Sequence, residues 1–519
     1  MSHSLEDFGP IRSTLWPIYS HELRKVLPML FMLFFICFNY SILRNMKDSL
    51  VVTASGAAVI PFIKVWVMLP TAVLLTFVFA RLSNKYSLER VFYIMISMFL
   101  IFFTLFAFVL HPLRDYLHPT AFAASLQTSL PAGLRGMISM CCNWSFTIFY
   151  VMCELWSTSI LTVLFWGFAN EITTVVEARR FYGVLGVGAS CAAIIAGQTA
   201  NFFASFEQSA AYTQDEAWGQ IMRVLIALVV VCGIVTMAIF RWMSRRVLTD
   251  PCFDEFHDVK KIAREKSKLS IIESFSYLSN SKYLICIAIL VVAYNLVINM
   301  TEVLWKDQLS RLYPSPQEYN IYMNNLTSAI GVCATLTALF MARIINRLGW
   351  TRTAIITPLM MALTSIGFFS FFLFQDHWAI SFPAIMAGGA PLVIAVFFGA
   401  AQNCLSKAAK YSVFDATKEM SFIPLSYECK LKGKAAIDGV GSRIGKSGGS
   451  LMYQGLLMFF GTISASAPYV ACILAVVLVL WMIAVRVLGR QFNDLVASQE
   501  AQKVHPTSKE FKPKPQQSY

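Results

Sequence analysis

Charged side chains inside apolar stretches are the residues of this chain that could handle a polar cargo. The stretch "GVGSRIGKSGGS", residues 439–450, sets Arg443 and Lys446 at the mouth of an apolar run. Gly445-Lys446-Ser447 supplies the end of the phosphate-loop pattern G-x-x-x-x-G-K-[ST]. The first glycine would then be residue 440, which is Val440. The flanks fail as well. A polar, basic segment, "YECKLKGKAAID", precedes it, and "LMYQGLLMFFGTI" follows it. The stretch therefore reads as a glycine-rich membrane helix that displays two cations. Each glycine weakens a helix by about 1 kcal/mol relative to alanine, and lets the backbone approach a ligand or a neighbouring helix.

Other charges sit where they are expensive. A charge at a bilayer centre costs about 2.5–3.5 kcal/mol on insertion scales. Glu154 lies mid-span in "WSFTIFYVMCELWSTSILTVLFWGF" and shares a helical stripe with Thr147, Tyr150, Ser157 and Thr158. Asn295, Asn299, Glu302 and Lys306 fall at spacings of four, three and four. Tyr40, Arg44, Lys47 and Asp48 share one face of the first apolar helix, and Gly439, Arg443, Lys446 and Ser450 share one face of the eleventh. Asp438 lies at the edge of the same helix. Lys64 and Arg223 read instead as side chains that snorkel to the headgroups. Structural glue between helices is the bland alternative for the polar stripes. If both sets of helices line one cavity, its surplus of Lys and Arg at low dielectric favours a polyanion. The residues themselves say carrier of a small phosphorylated anion.

Twelve apolar runs must position these groups. The 519-residue chain is 57% hydrophobic and 14% charged, with 42 Phe, against about 25% charged residues in a soluble domain. This marks an all-α polytopic membrane protein rather than a barrel of short alternating strands. Spans are expected at 26–43, 60–80, 91–111, 143–168, 181–206, 220–240, 283–302, 322–342, 353–374, 379–404, 436–463 and 469–487. They divide into a segment 1–25, a six-helix half 26–240, a basic linker 241–282, a second half 283–488 and a disordered tail 489–519. With the N-terminus inside, about 32 of the 42 Lys and Arg fall in cytoplasmic segments. The outer loops hold Arg114, Arg135, Lys306 and Arg311. That asymmetry accounts for most of the +13 net charge without nucleic acid, and the linker can face anionic lipid headgroups. "FWGFANEITTVVEARRFY" and "FFGAAQNCLSKAAKYSVF" echo each other, as two parallel repeats would. No cleavable signal peptide is expected. The 12 Cys are scattered without paired spacing, so neither a metal site nor a cofactor is expected. In α-helix five, "GVLGVGASC" misses a dinucleotide fingerprint because the third glycine would be Cys191.

The chain resembles the nucleotide transporters (ATP/ADP translocases) of plastids and obligate intracellular bacteria, which are unrelated to the mitochondrial carrier. The resemblance spans roughly residues 16–490. It is carried by "FNYSILRNMKDSLVVTA", "VIPFIKVW", "ELWSTSILTVLFWGFANEIT", "EARRFYGVLG", "NMTEVLWKDQL", "KYSVFDATKEMSFIPL" and "KGKAAIDGVGSRIGKSGG". It implies a twelve-helix, major-facilitator-like bundle that moves nucleotides. It further implies that four charged positions matter for transport: Lys47, Glu154, Glu302 and Lys446. The lysines would handle phosphates, and the glutamates would act as counter-charges or couple a driving ion. The chain departs from the exchangers' usual pattern at Ala58 and Ser426, where acids are usual.

Two modes of transport stay open at this point. Counter-exchange of ATP for ADP, giving nucleotide import by alternating access, is one. Proton symport of GTP, UTP, CTP or ATP is the other, and would use Glu154, Glu302 or Asp48 for coupling. The expected substrate-binding set is Lys47, Arg44, Glu154, Tyr150, Asn299, Glu302, Arg443 and Lys446. A membrane nucleotide hydrolase would need a phosphate loop, a soluble catalytic domain or an acidic metal site, and the sequence shows none of these, so no enzyme is expected. A nucleotide-binding receptor is the remaining alternative. Short loops and one core per half point to a monomer, the Lys and Arg asymmetry puts both termini in the cytoplasm, and the resemblance implies the inner membrane of an intracellular bacterium.

Overall fold

The computed structural model describes residues 16–206, 214–247, 281–381, 390–425, 433–434, 437, 441 and 444–504. All regular structure among them is helical. Among the described residues, eleven helices are long and apolar enough to cross a membrane. They are α1 (Leu23–Ser55), α2 (Val59–Lys85), α3 (Leu88–Leu110), α4 (Trp144–Ile172), α5 (Val175–Phe206) and α6 (Gln214–Trp242) in the first half. The second half has α7 (Lys282–Leu312), α8 (Pro316–Phe340), α9 (Arg347–Leu373), α10 (Ala390–Ala409) and α12 (Ile463–Val504). The expected eleventh span is described at 437 and 441, and continuously from a π-helical turn, Ile444–Gly448, into α11 (Gly449–Phe460). Arg443, Asp438, Gly439 and Ser426 lie outside the described residues.

Several boundaries differ from the hydropathy reading, for one reason. A charged residue ends an apolar run but does not end a helix when the bundle supplies it with a partner. Helix α1 continues three turns beyond residue 43 and stops only at Gly56, whose φ of 78° requires glycine. Helix α7 runs ten residues past Glu302. Helix α12 continues to Val504, so the first part of the expected tail, 489–504, is helical. The start of the expected linker continues α6 as a π turn, Met243–Val247. Gly349, at φ 73°, makes a sharp kink at the start of α9.

The two halves repeat one packing plan. α1 packs on α4, α5 and α6 in the first half, and α7 packs on α10, α11 and α12 in the second. The indole of Trp156 on α4 donates to Ile36 O of α1 at 3.2 Å, and that of Trp305 on α7 donates to Val396 O of α10 at 3.1 Å. The echo between the ends of the fourth and tenth spans thus falls on corresponding helices.

Contacts between the halves gather away from the face where α1 begins and α12 ends, hereafter the proximal face. α5 crosses α8 at Gly197 and Gly331. A Cβ on Gly331 would fall 2.7 Å from Ser190 O, so only a glycine allows this approach. A ladder of neutral polar groups joins α1 to α8. Asn45 donates to Asn324 at 2.8 Å, Thr327 to Asn45 at 3.0 Å and Asn320 to Ser49 at 3.1 Å. Gln454 of α11 donates to Pro61 O of α2 at 2.9 Å. These ties close the distal side.

Candidate functional site

The charged residues of both halves meet in one chain of ion pairs above this distal seal. Lys47 Nζ donates to Asp48 Oδ1 at 2.8 Å, lies 2.9 Å from Glu154 Oε1, and sits 3.8 Å over the Tyr150 ring. Asp48 Oδ1 also meets Lys306 Nζ at 2.9 Å, which carries the chain from α1 to α7. Lys306 reaches Glu302 at 3.3 Å, one turn back on its own helix. Glu302 is then approached by Lys407 of α10 at 3.6 Å and by Lys64 of α2 at 3.9 Å. Signs alternate along the whole path. Inside a low-dielectric bundle a buried charge is tolerable only when paired in this way.

The helix backbone is adapted to present these groups. Lys64 lies in the π-helical segment Ile63–Met68, Lys410 in Lys410–Phe414, and Lys446 in Ile444–Gly448. A π segment, Ser157–Phe165, begins one turn after Glu154. A wide turn shifts the facing of the residues after it and is frequent at functional sites. Gly445 lets α11 lie against α7: a Cβ there would fall 2.8 Å from Asn295 Cβ and 3.0 Å from Val292 O. The glycine-rich stretch is thus a packing surface that brings Lys446 to the site.

Lys446 is exposed, and its electrostatic neighbours are Lys410, Glu154 and Lys64. Arg44 stands to one side. It donates to Thr327 Oγ1 at 3.1 Å and lies over the Tyr40 ring at 5.7 Å, with its Nε buried and unpartnered. Asn299 accepts from Lys64 at 2.8 Å and donates to Asn295 O at 2.8 Å. The structure therefore unites Lys47, Asp48, Tyr150, Glu154, Asn299 and Glu302, and places Arg44 and Lys446 beside them.

Two sequence expectations are corrected. Lys306, expected in an outer loop, is buried and central, because α7 does not end at Glu302. Lys64, expected to snorkel, instead points its ammonium inward to Asn299 and Glu302. Lys407 was missed because the apolar run ends at Cys404, while α10 continues to Ala409. The 302/306 spacing was the available signal for Lys306. Tyr319 of α8, fully buried with its hydroxyl unpartnered near Asp48, carried none.

Comparisons with known proteins bear on this arrangement. By fold, the chain is similar to the E. coli xylose transporter XylE in a partially occluded inward open conformation. The TM-score is 0.51 at 12% identity, over 89% of this chain and 97% of that one. It is also similar to a bacterial homologue of the iron transporter ferroportin in an inward-facing state, with TM-score 0.51 and 11% identity over 90% and 100% of the two chains. At such identities the likeness is one of fold, a major-facilitator-like bundle. By sequence, it is 45% identical over 509 residues to ADP,ATP carrier protein 1 of Chlamydia pneumoniae, covering 97% of each chain. It is 42% identical over 485 residues to the chloroplastic ADP,ATP carrier protein 1 of Arabidopsis thaliana, covering 93% of this chain and 76% of that one. The family model described as TLC ATP/ADP transporter matches residues 1–492, and the chain belongs to that family.

Proposed function

We propose that this protein exchanges ATP for ADP across a membrane by alternating access between its two six-helix halves. The observation that carries this reading is the ion-pair chain from Glu154 to Glu302, which crosses the seam between the halves through Asp48 and Lys306. Cations on both halves let one polyanion engage both at once, as alternating access requires. The names of the relatives, ADP,ATP carriers at up to 45% identity over nearly the full length, supply the nucleotide.

In this reading Lys47, Arg44, Lys446 and Arg443 attract the phosphates. Glu154, Asp48 and Glu302 are the anions those cations hold while no substrate is bound. Tyr150 and Asn299 orient Lys47 and Lys64. The distal seal then marks an inward-facing state, with the proximal face cytoplasmic, as the basic linker supports. Exchange of ATP for ADP moves about one net charge per cycle, so membrane potential biases its direction.

The test is uptake of labelled ATP, GTP, UTP and CTP into proteoliposomes, with and without internal ADP and with and without an uncoupler. ATP uptake that requires internal ADP and ignores the uncoupler is expected. Uptake without internal nucleotide that collapses with the uncoupler would establish proton symport instead.

A further inference from the structure

Glu302 is surrounded by ammonium groups but gripped closely by none. Lys306, Lys407 and Lys64 stand 3.3, 3.6 and 3.9 Å away, whereas a charge-assisted N–H···O bond settles near 2.7–2.9 Å. Two of the three have no closer anion. Lys306 is committed to Asp48 at 2.9 Å, but Lys64 makes its short bond to the neutral Asn299 oxygen, and Lys407 meets no other carboxylate among the described residues. Lys64 comes from α2 of the first half and Lys407 from α10 of the second. One carboxylate, with two oxygens and a single charge, leaves this pair under-neutralised. A terminal phosphate has three oxygens and carries up to two charges.

Exposure orders the site from mouth to floor. Lys446 is exposed. Lys407, Lys64 and Glu302 are 24%, 18% and 17% exposed, and Lys47, Asp48 and Lys306 only 1–2%. The floor is made of ions; of the aromatic rings beside them among the described residues, Tyr150 is covered by Lys47 and Tyr319 is fully buried. A nucleotide must therefore enter phosphate first, with its base toward the mouth. With the nucleoside held at the mouth, a triphosphate reaches one phosphate deeper than a diphosphate.

We propose that Lys64 and Lys407 form a subsite for the terminal phosphate of a nucleoside triphosphate, in which Glu302 is the resident anion. This deepens the nucleotide-exchange reading and rests on it. Triphosphate draws the two lysines off Glu302 and ties α2 to α10. Diphosphate leaves them on the carboxylate. The pair thereby sets discrimination between the two cargoes, separately from the cations that bind both.

The experiment measures KM for ATP and for ADP, each in self-exchange, in proteoliposomes of the unaltered protein and of Lys64→Gln, Lys407→Gln and Lys407→Arg. Either glutamine variant should raise KM for ATP about tenfold or more and that for ADP less than about threefold, while Lys407→Arg keeps the preference. A parallel rise for both nucleotides, or no change in either, overturns the proposal. Thermal stabilisation of the purified proteins by inorganic tripolyphosphate and by pyrophosphate gives a readout independent of transport. The unaltered protein should favour tripolyphosphate and Lys407→Gln should not. Equal stabilisation of the unaltered protein by both also overturns the subsite. If the unaltered protein carries no nucleotide, the exchange reading fails, and the polyphosphate comparison still decides the subsite.

Discussion

Asp48 of α1 and Lys306 of α7 meet at 2.9 Å across the seam between the halves, and each is only 2% exposed. Asp48 also holds Lys47, and Lys306 also faces Glu302, so this pair is the middle link of the chain. Breaking one member of a buried pair costs about 3–5 kcal/mol, because the other is left charged and unpaired. Asp48→Asn and Lys306→Gln should each destabilise on that scale. The double variant should lose less than the sum, with a coupling of at least about 1 kcal/mol. Thermal unfolding in detergent measures all three, and simple additivity would show that the pair does not bind the halves together.

The segment before α1 is tied to the start of α5. Arg180 forms a two-point ion pair with Glu22, one of its bonds measuring 2.9 Å, and its guanidinium lies 4.8 Å over the Tyr19 ring. Lys25 and Glu177 add a second tie at 2.9 Å. Arg180→Ala should cost about 3–5 kcal/mol by stranding Glu22. Arg180→Lys should rescue little, since an ammonium cannot reproduce the planar fork. Limited proteolysis near residue 16 should quicken in both variants, and unchanged cleavage would count against the tie.

Glycines in α5 and α8 make opposite predictions according to what surrounds them. A Cβ at Gly183 meets nothing within 4 Å, whereas one at Gly331 would press on Ser190 O and Ile194. Gly183→Ala should be neutral or stabilising by up to about 1 kcal/mol through helix propensity. Gly331→Leu should separate α5 from α8 and cost about 1–3 kcal/mol through overpacking. Unfolding temperature and ADP uptake are the readouts, and equal behaviour of the two variants would sink the close-crossing account.

His111 lies just beyond the end of α3, 3% exposed. Burial first, and then the charges of Arg114, Arg223 and His118, push its imidazole down from 6.5 to about 3. His118, which shares a 2.8 Å bond with Ser145, is pushed down too, by burial and then Arg114, with Asp115 opposing. A depressed histidine is neutral when folded and takes up a proton on unfolding. Its contribution is complete above about pH 6.5 and is lost as pH falls toward 3, by up to ~1.4 kcal/mol per pH unit. Unfolding temperature should therefore drop between about pH 6 and about pH 4. His111→Gln should flatten that slope, and an unaltered slope would reject the assignment.

These residues also show what a hydropathy reading can and cannot deliver. Long apolar runs placed the helices; Lys47 and Glu154 stood out because a charge in or at the edge of such a run is expensive, and Glu302 because it shares a polar helix face with Asn295 and Asn299. Lys306 and Lys407 did not, because the same charges cut the run short. The apolar signal stops where the site begins, and only continued helical periodicity carries past it. Lys64 sits near a helix end, where snorkelling and inward pairing look alike until α7 is placed opposite. The Asn45–Asn324 ladder joins positions 279 apart in sequence, and no local pattern marks such a pair.

That ladder is built from amides and hydroxyls without net charge, and the ion pairs beside it are buried. Added salt screens exposed charges over about 8–10 Å but leaves buried pairs and neutral hydrogen bonds nearly untouched. Ionic strength should therefore act on the two stages of the cycle unequally. Arrival of an anion at exposed Lys446 is steered by charge and slows as salt rises. Opening of the seal trades amide–amide bonds for amide–water bonds and does not respond. Concentrated electrolyte would make this carrier harder to fill yet no slower to turn over once full.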